Sequence, residues 1–128
     1  MNLNTAMRIS SSGLAAERFR MDVISGNIAN ANSISTKTQE AYRRHSVQLI
    51  GTPEGVKIGQ ITVDQTPLRQ EKDPNNPNAI NGVVTYSNVN PITEMVDMLG
   101  ASRAYEANVA AFNSAKGMIK SALSIGKV

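Results

Sequence analysis

The chain has 128 residues, a formal net charge of +3 and no cysteine, and only 29 of its positions are Leu, Ile, Val or Phe. That length suits one domain with a moderate core, and the missing cysteine excludes disulfides, thiolate metal sites and a cysteine nucleophile. No run reaches the ~18 apolar residues that would span a membrane, and the positive residues are scattered along the chain, which by itself does not imply a nucleic-acid partner.

Residues 3–32 predict a first long helix. Leu3, Met7, Leu14, Met21, Ile24 and Ile28 fall on one stripe, interrupted by Ser10 and Glu17, and Met7, Leu14, Met21 and Ile28 recur every seven positions, the seam spacing of helices that pack lengthwise. At ~1.5 Å per residue this helix would be roughly 45 Å long, against about 35 Å for a compact globule of this chain length. The molecule is therefore expected to be elongated. Ile9, Ala16 and Val23 form a second heptad row, about 200° round the axis, which points to a second packing partner.

The hydroxyl-rich run Ser33–Thr38 ends that helix. Alternation at His45, Val47 and Leu49, then at Val56, Ile58, Ile61 and Val63, predicts a β-hairpin turning at residues 51–55, with a bulge where the phase slips at Gly59 and Gln60. Asp73-Pro74-Asn75-Asn76-Pro77-Asn78 rules out helix or central strand, so residues 67–82 read as a loop or tether.

Asn90 and Pro91 then supply an N-cap and a first helical residue, with Glu94 and Asp97 near the positive end of the helix dipole. The helix runs to about Ser124. Its main stripe carries the heptad Met98, Tyr105, Phe112 and Ile119, with Ala101, Ala115 and Ala122, and Asn108 as a polar exception. Gly100, Ala104, Ala107, Ala111 and Ser114 form a separate row of small residues that permits close helix approach.

Chemistry-bearing motifs are missing: there is no phosphate-cradling loop, dinucleotide fingerprint or zinc-binding His-Glu-x-x-His string. The single histidine, His45, lies beside Arg43 and Arg44 with no evident catalytic partner and reads as structural. Asp64, Glu71 and Asp73 do not have calcium-loop spacing. The expectation is a non-enzyme with no cofactor and no metal, no nucleic-acid partner and no membrane insertion.

Several strings resemble the bacterial flagellar rod and hook family. They are Ser12-Gly13-Leu14-Ala15-Ala16-Glu17-Arg18, Asn27-Ile28-Ala29-Asn30-Ala31-Asn32 and Tyr42-Arg43-Arg44, followed by Asp73-Pro74, Gly82-Val83, Asn88-Val89, Glu94-Met95-Val96 and Ala101-Ser102-Arg103-Ala104-Tyr105-Glu106-Ala107-Asn108. Their order covers nearly the whole chain, and Asn27, Asn30, Asn32, Arg103 and Asn108 are taken as its motif residues. The resemblance implies a structural subunit of the flagellar basal-body rod. It would be located in the periplasm-spanning drive shaft around the export channel, homo-oligomeric within the rod, associated with other rod and basal-body components, and passed through the flagellar type III export apparatus without a cleaved signal.

The expected fold is mainly α with a small β part. An elongated antiparallel pair of terminal helices, residues 1–32 and 91–128, forms an axial coiled-coil-like domain, and residues 33–90 form a hairpin and loop insert projecting from one end. Met7, Leu14, Met21, Ile28, Met98, Tyr105, Phe112 and Ile119 are assigned to helix pairing. Ile9, Ala16, Val23, Gly100, Ala104, Ala107 and Ala111 are assigned to contacts between subunits. The terminal helices are expected to be loose in the free subunit. A soluble helical adaptor, or an export-associated coiled-coil protein, is the rival reading, and it would stop at a small closed oligomer.

Overall fold

The computed structural model describes residues 2–127. Helix α1 spans Leu3–Ala29. It starts where Asn2 Oδ1 accepts the Thr5 backbone N–H at 2.8 Å, a standard N-cap that satisfies one otherwise unpaired donor. It ends where the Asn30 N–H turns back to the Gly26 and Asn27 carbonyls, three residues before the expected Asn32. Beyond it, Ser33 Oγ accepts from Tyr42 N and Ser35 Oγ from Ala41 N, each at 2.8 Å. These hydroxyls offer backbone groups a local alternative to helix.

Strands β1 (His45–Thr52) and β2 (Gly55–Val63) form the antiparallel hairpin. Val47 pairs with Ile61 and Leu49 with Ile58, so Gln48 faces both Gly59 and Gln60. The bulge therefore sits where the apolar phase slips. The hairpin does not project from one end, as expected. It folds back along α1: its base at His45 bonds to Asn27, and its turn bonds to Ser12. The lengths agree, since seven steps of β1 cover ~23 Å and the fifteen helical residues between Asn27 and Ser12 cover ~22 Å. Gly55, at φ 129°, makes the close approach possible, because a Cβ there would lie 2.2 Å from Ser12 Oγ.

The segment 67–82, expected as a loop or tether, supplies one strand of a second ladder. β3 (Arg69–Lys72) pairs antiparallel with β4 (Val83–Tyr86), and Ile34 bridges to Tyr86. The polar β3 has no apolar alternation to reveal it. The Asn- and Pro-rich string forms the connection, with Asn81 and Gly82 in the left-handed region at φ 53° and 77°.

Helix α2 spans Pro91–Ile125 and is capped by Asn90, whose Oδ1 accepts from Ile92 N at 3.0 Å. α1 packs against α2 on one side and against β1 and β2 on another, while the backbones of α2 and the hairpin strands do not approach each other closely. The buried apolar residues are Ala16, Ile24, Ala31, Ala41, Val84, Val89, Ala101 and Ala115. Five of these eight are alanine. A buried Val or Ile contributes about 1.5–3 kcal/mol and an alanine methyl about 0.8 kcal/mol, so this core gains more from close approach than from bulk.

Candidate functional site: a buried joint and an open helix face

The three packed elements meet at Asn27, near the C-terminal end of α1, which is buried. Its Nδ2 donates to the His45 carbonyl at 2.8 Å and to Glu94 Oε2 at 3.0 Å. Its Oδ1 accepts from Tyr42 Oη at 2.8 Å and from the His45 backbone N–H at 3.0 Å. An amide has two donor hydrogens and two acceptor lone pairs, and all four are used. Because Asn27 takes both the N–H and the C=O of His45, it serves β1 as a strand partner would.

Glu94 is fully buried in the first turn of α2. Its second oxygen accepts from Arg44 Nε, and Arg44 Nη2 reaches Asp97 Oδ2 at 3.3 Å. The Arg44 backbone N–H donates to Asn88 Oδ1 at 2.7 Å, and Asn88 Nδ2 donates to the Asp64 and Thr66 carbonyls and to Thr66 Oγ1. The joint thus ties α1, the hairpin and α2 through charged and amide groups. No buried side-chain polar atom among the described residues lacks a partner, the condition under which a buried polar network rigidifies a fold.

The electrostatics follow this geometry. The hydrogen bond from Arg44 to Glu94 raises the guanidinium above its ordinary value, against an opposing effect of burial. Burial, helped by the Glu94 charge, raises the Tyr42 hydroxyl. A hydrogen bond from the Thr66 backbone lowers the Asp64 carboxyl. Since Tyr42 spends its proton on Asn27, the 2.9 Å contact with His45 makes His45 Nδ1 the donor to Tyr42 Oη. His45 therefore has a structural position in this joint.

The motif asparagines separate in role. Asn27 is the hub, whereas Asn30 is exposed and donates to the Gly26 carbonyl at 2.8 Å within its own helix end, and Asn32 is exposed. Asn108 lies over Gly13 and donates to the Ala104 carbonyl at 2.9 Å. A Cβ at Gly13 would be 2.8 Å from the Asn108 amide, so this polar exception marks the closest helix approach. Arg103 is exposed.

The heptad residues Met7, Leu14, Met21, Ile28, Met98, Tyr105, Phe112 and Ile119 are all partly buried. On α2 they flank the buried Ala101 and Ala115; on α1 the buried positions are Ser10, Gly13, Ala16, Ile24 and Asn27, which centre about a quarter-turn from the methionine stripe. Ala16, assigned to contacts between subunits, is 2% exposed within the subunit. Its row faces inward for a physical reason: Ile9 lies against Gly55 of the hairpin turn, and Val23 lines a cavity of about 300 Å³ with Val47 and Leu49. On α2, Gly100, Ala107 and Ala111 are exposed and Ala104 is partly buried. Sequence reasoning missed Glu94 and Arg44 as a pair, although both stood inside its quoted strings.

Two long terminal helices, locked to a hairpin by a buried polar joint and leaving one helix face open, define a helical structural subunit. Residues 7–33 match the family model described as flagella basal body rod protein, and residues 80–125 match that of the flagellar basal body rod FlgEFG protein C-terminal region. The chain is 38% identical to the flagellar basal-body rod protein FlgC of Borreliella burgdorferi, with 98% of each chain covered. It is 38% identical to FlgC of Bacillus subtilis, over 95% of this chain and 97% of that one. Against FlgC of Salmonella typhimurium identity is 35%, over 99% of this chain and all of the other. The chain belongs to the flagellar basal-body rod protein family, FlgC type, and is a structural subunit of the bacterial flagellar rod. No helix among the described residues is long and apolar enough to cross a membrane.

Proposed function

We propose that this subunit polymerises through its terminal helices to build part of the torque-transmitting drive shaft around the export channel. Residues 1–32 and 91–128 act as the axial unit, and residues 33–90 as an insert clamped to it. The observation that carries this reading is the open face of α2. Gly100, Ala107 and Ala111 face solvent while Ala101 and Ala115 are buried, and small side chains let a neighbouring helix approach closely. Homo-oligomeric contacts and contacts with other rod components both use this face. Its role is mechanical, without catalysis, and the subunit reaches the periplasmic rod through the flagellar export apparatus without a cleaved signal.

The test is replacement of Ala107 and Ala111 by glutamate in cells lacking the native copy. Incorporation into isolated basal bodies and swimming should both be lost, while the stability of the purified subunit changes by less than ~0.5 kcal/mol, as for exposed sites. Normal incorporation of the double variant would overturn the assignment of this face. Ordering of the helices upon assembly is tested by hydrogen exchange on the dilute subunit, in which α2 should exchange faster than in the rod.

A further inference from the structure

The turn that leads into β4 carries chemistry that the structural role of the subunit does not use. Ile80 N donates to the Val83 carbonyl at 2.9 Å and Val83 N to the Ile80 carbonyl at 3.1 Å, so Asn81 and Gly82 form a two-residue loop. Both lie at positive φ, 53° and 77°, the type I′ pattern that an Asn-Gly pair favours. Asn81 is exposed, and among the described residues neither its side-chain amide nor the Gly82 backbone N–H is held by a hydrogen bond. The amide of nearby Asn76 differs: it donates to Asp73 and accepts from Asn78 N.

Asn81 is the one asparagine in the chain followed by glycine. Every other asparagine precedes either a residue whose side chain crowds the next peptide nitrogen or a proline, which has no N–H to lose.

We infer that Asn81 is a site of spontaneous deamidation. The Gly82 peptide nitrogen attacks the side-chain amide carbon of Asn81; a C–N bond forms, the bond to the amide NH2 breaks, and that group leaves as ammonia with the peptide proton. One water then opens the succinimide. Opening at the side-chain carbonyl gives aspartate, and opening at the main-chain carbonyl gives isoaspartate. The sum is amide plus water to carboxylic acid plus ammonia, with no change of oxidation state.

The closed turn restrains the first step. Ring closure needs Gly82 N to eclipse Cβ of Asn81, and a type I′ turn holds it away from that position. Attack therefore waits on local opening, in which the Ile80 and Val83 bonds are lost. The two products then differ. Aspartate still tolerates positive φ. Isoaspartate routes the main chain through Cβ, so the loop gains a backbone atom and no longer closes the Ile80–Val83 pair or the 3.0 Å bond from Asp73 N to the Gly82 carbonyl.

The purified full-length subunit, aged at mildly alkaline pH, should gain one mass unit in the tryptic peptide of residues 73–103, and fragmentation should place it at Asn81 before any other asparagine. Isoaspartyl methyltransferase should label the aged chain and leave fresh protein, digested in parallel, unlabelled. Asn81→Gly, which suits the same φ, should abolish both signals. Unfolding in guanidinium should speed the conversion. Hydrogen exchange at Ile80 and Val83 should lose protection in isoaspartyl chains and keep it in Asn81→Asp. Conversion first at another asparagine, or conversion at Asn81 only in the unfolded chain, would overturn the site. Equal rates in buffer and guanidinium would remove the restraint by the turn, and retained protection in isoaspartyl chains would refute the structural consequence.

Discussion

The Asn27 side chain donates a 3.0 Å hydrogen bond to Glu94, sixty-seven residues away in sequence, and the same amide holds the backbone of His45. One residue thus sets the end-to-end register of α1 against α2 and fixes where the hairpin begins. A shaft subunit needs its helices to resist sliding under torque, and a fully satisfied buried joint gives a discrete register that apolar stripes alone do not.

Asn27→Ala should lower the stability of the subunit by about 3–4 kcal/mol, because it strips Glu94 Oε2 and both backbone groups of His45 of their Asn27 bonds in a buried site. Urea unfolding should show the midpoint fall with little change in slope. Asn30→Ala, which removes one bond within the helix end, should cost no more than ~1 kcal/mol. Equal effects of the two would refute the separation of their roles.

Arg44→Met removes the cation facing a fully buried Glu94 and should destabilise by about 3 kcal/mol, since the remaining charge is left uncompensated. Adding Glu94→Gln to that variant should recover part of the loss, and a double-mutant cycle measures the coupling. Asp97→Ala, at the solvent side of the same arginine, should cost under ~1 kcal/mol. A larger loss for Asp97 than for Arg44 would place the weight of the joint elsewhere.

Gly13→Ala places a methyl 2.8 Å from the Asn108 amide, and should cost about 1–3 kcal/mol through overpacking. Gly100→Ala meets open space and should stabilise the isolated subunit by about 0.5–1 kcal/mol, the usual gain of alanine over glycine in a helix. If Gly100 sits between subunits, the same change should reduce swimming. Thermal melts paired with motility assays separate the two effects, and a variant that is both more stable and fully motile would remove Gly100 from the interface.

The Tyr42 hydroxyl sets an alkaline limit. Burial first, and the Glu94 charge second, raise its pKa in the fold above the ordinary 10.0, so the unfolded chain gives up this proton at lower pH than the native one. The contribution is complete below pH about 10 and declines as pH rises through the folded value. Stability measured by urea from pH 8 to 11 should fall at the alkaline end, and Tyr42→Phe should flatten that component. Parallel curves for the two proteins would argue against it.

Much of the architecture was legible in the chain. Asn90-Pro91 placed the start of α2, the phase slip at Gly59 and Gln60 placed the bulge, and the quoted strings pointed to the rod family, because caps, periodicity and local strings act over a few residues. β3 was hidden, since Arg69–Lys72 has no apolar alternation and its partner β4 lies beyond an Asn- and Pro-rich turn. The second face of α1 was read as a subunit contact because periodicity reports that a side is packable without reporting by what.

Sequence alone determined that two long helices occupy the ends of this chain and that the phosphate-loop, dinucleotide and zinc motif strings are missing from it, because both depend on residue type and short-range spacing. Only the tertiary structure decided which apolar faces are already covered. Folding the hairpin back onto α1 buries Ala16 and leaves α2 open, and it brings Asn27, Arg44 and Glu94 to one point. That choice depends on long-range register, which is set where buried polar groups can all find partners at once, and no local pattern encodes it.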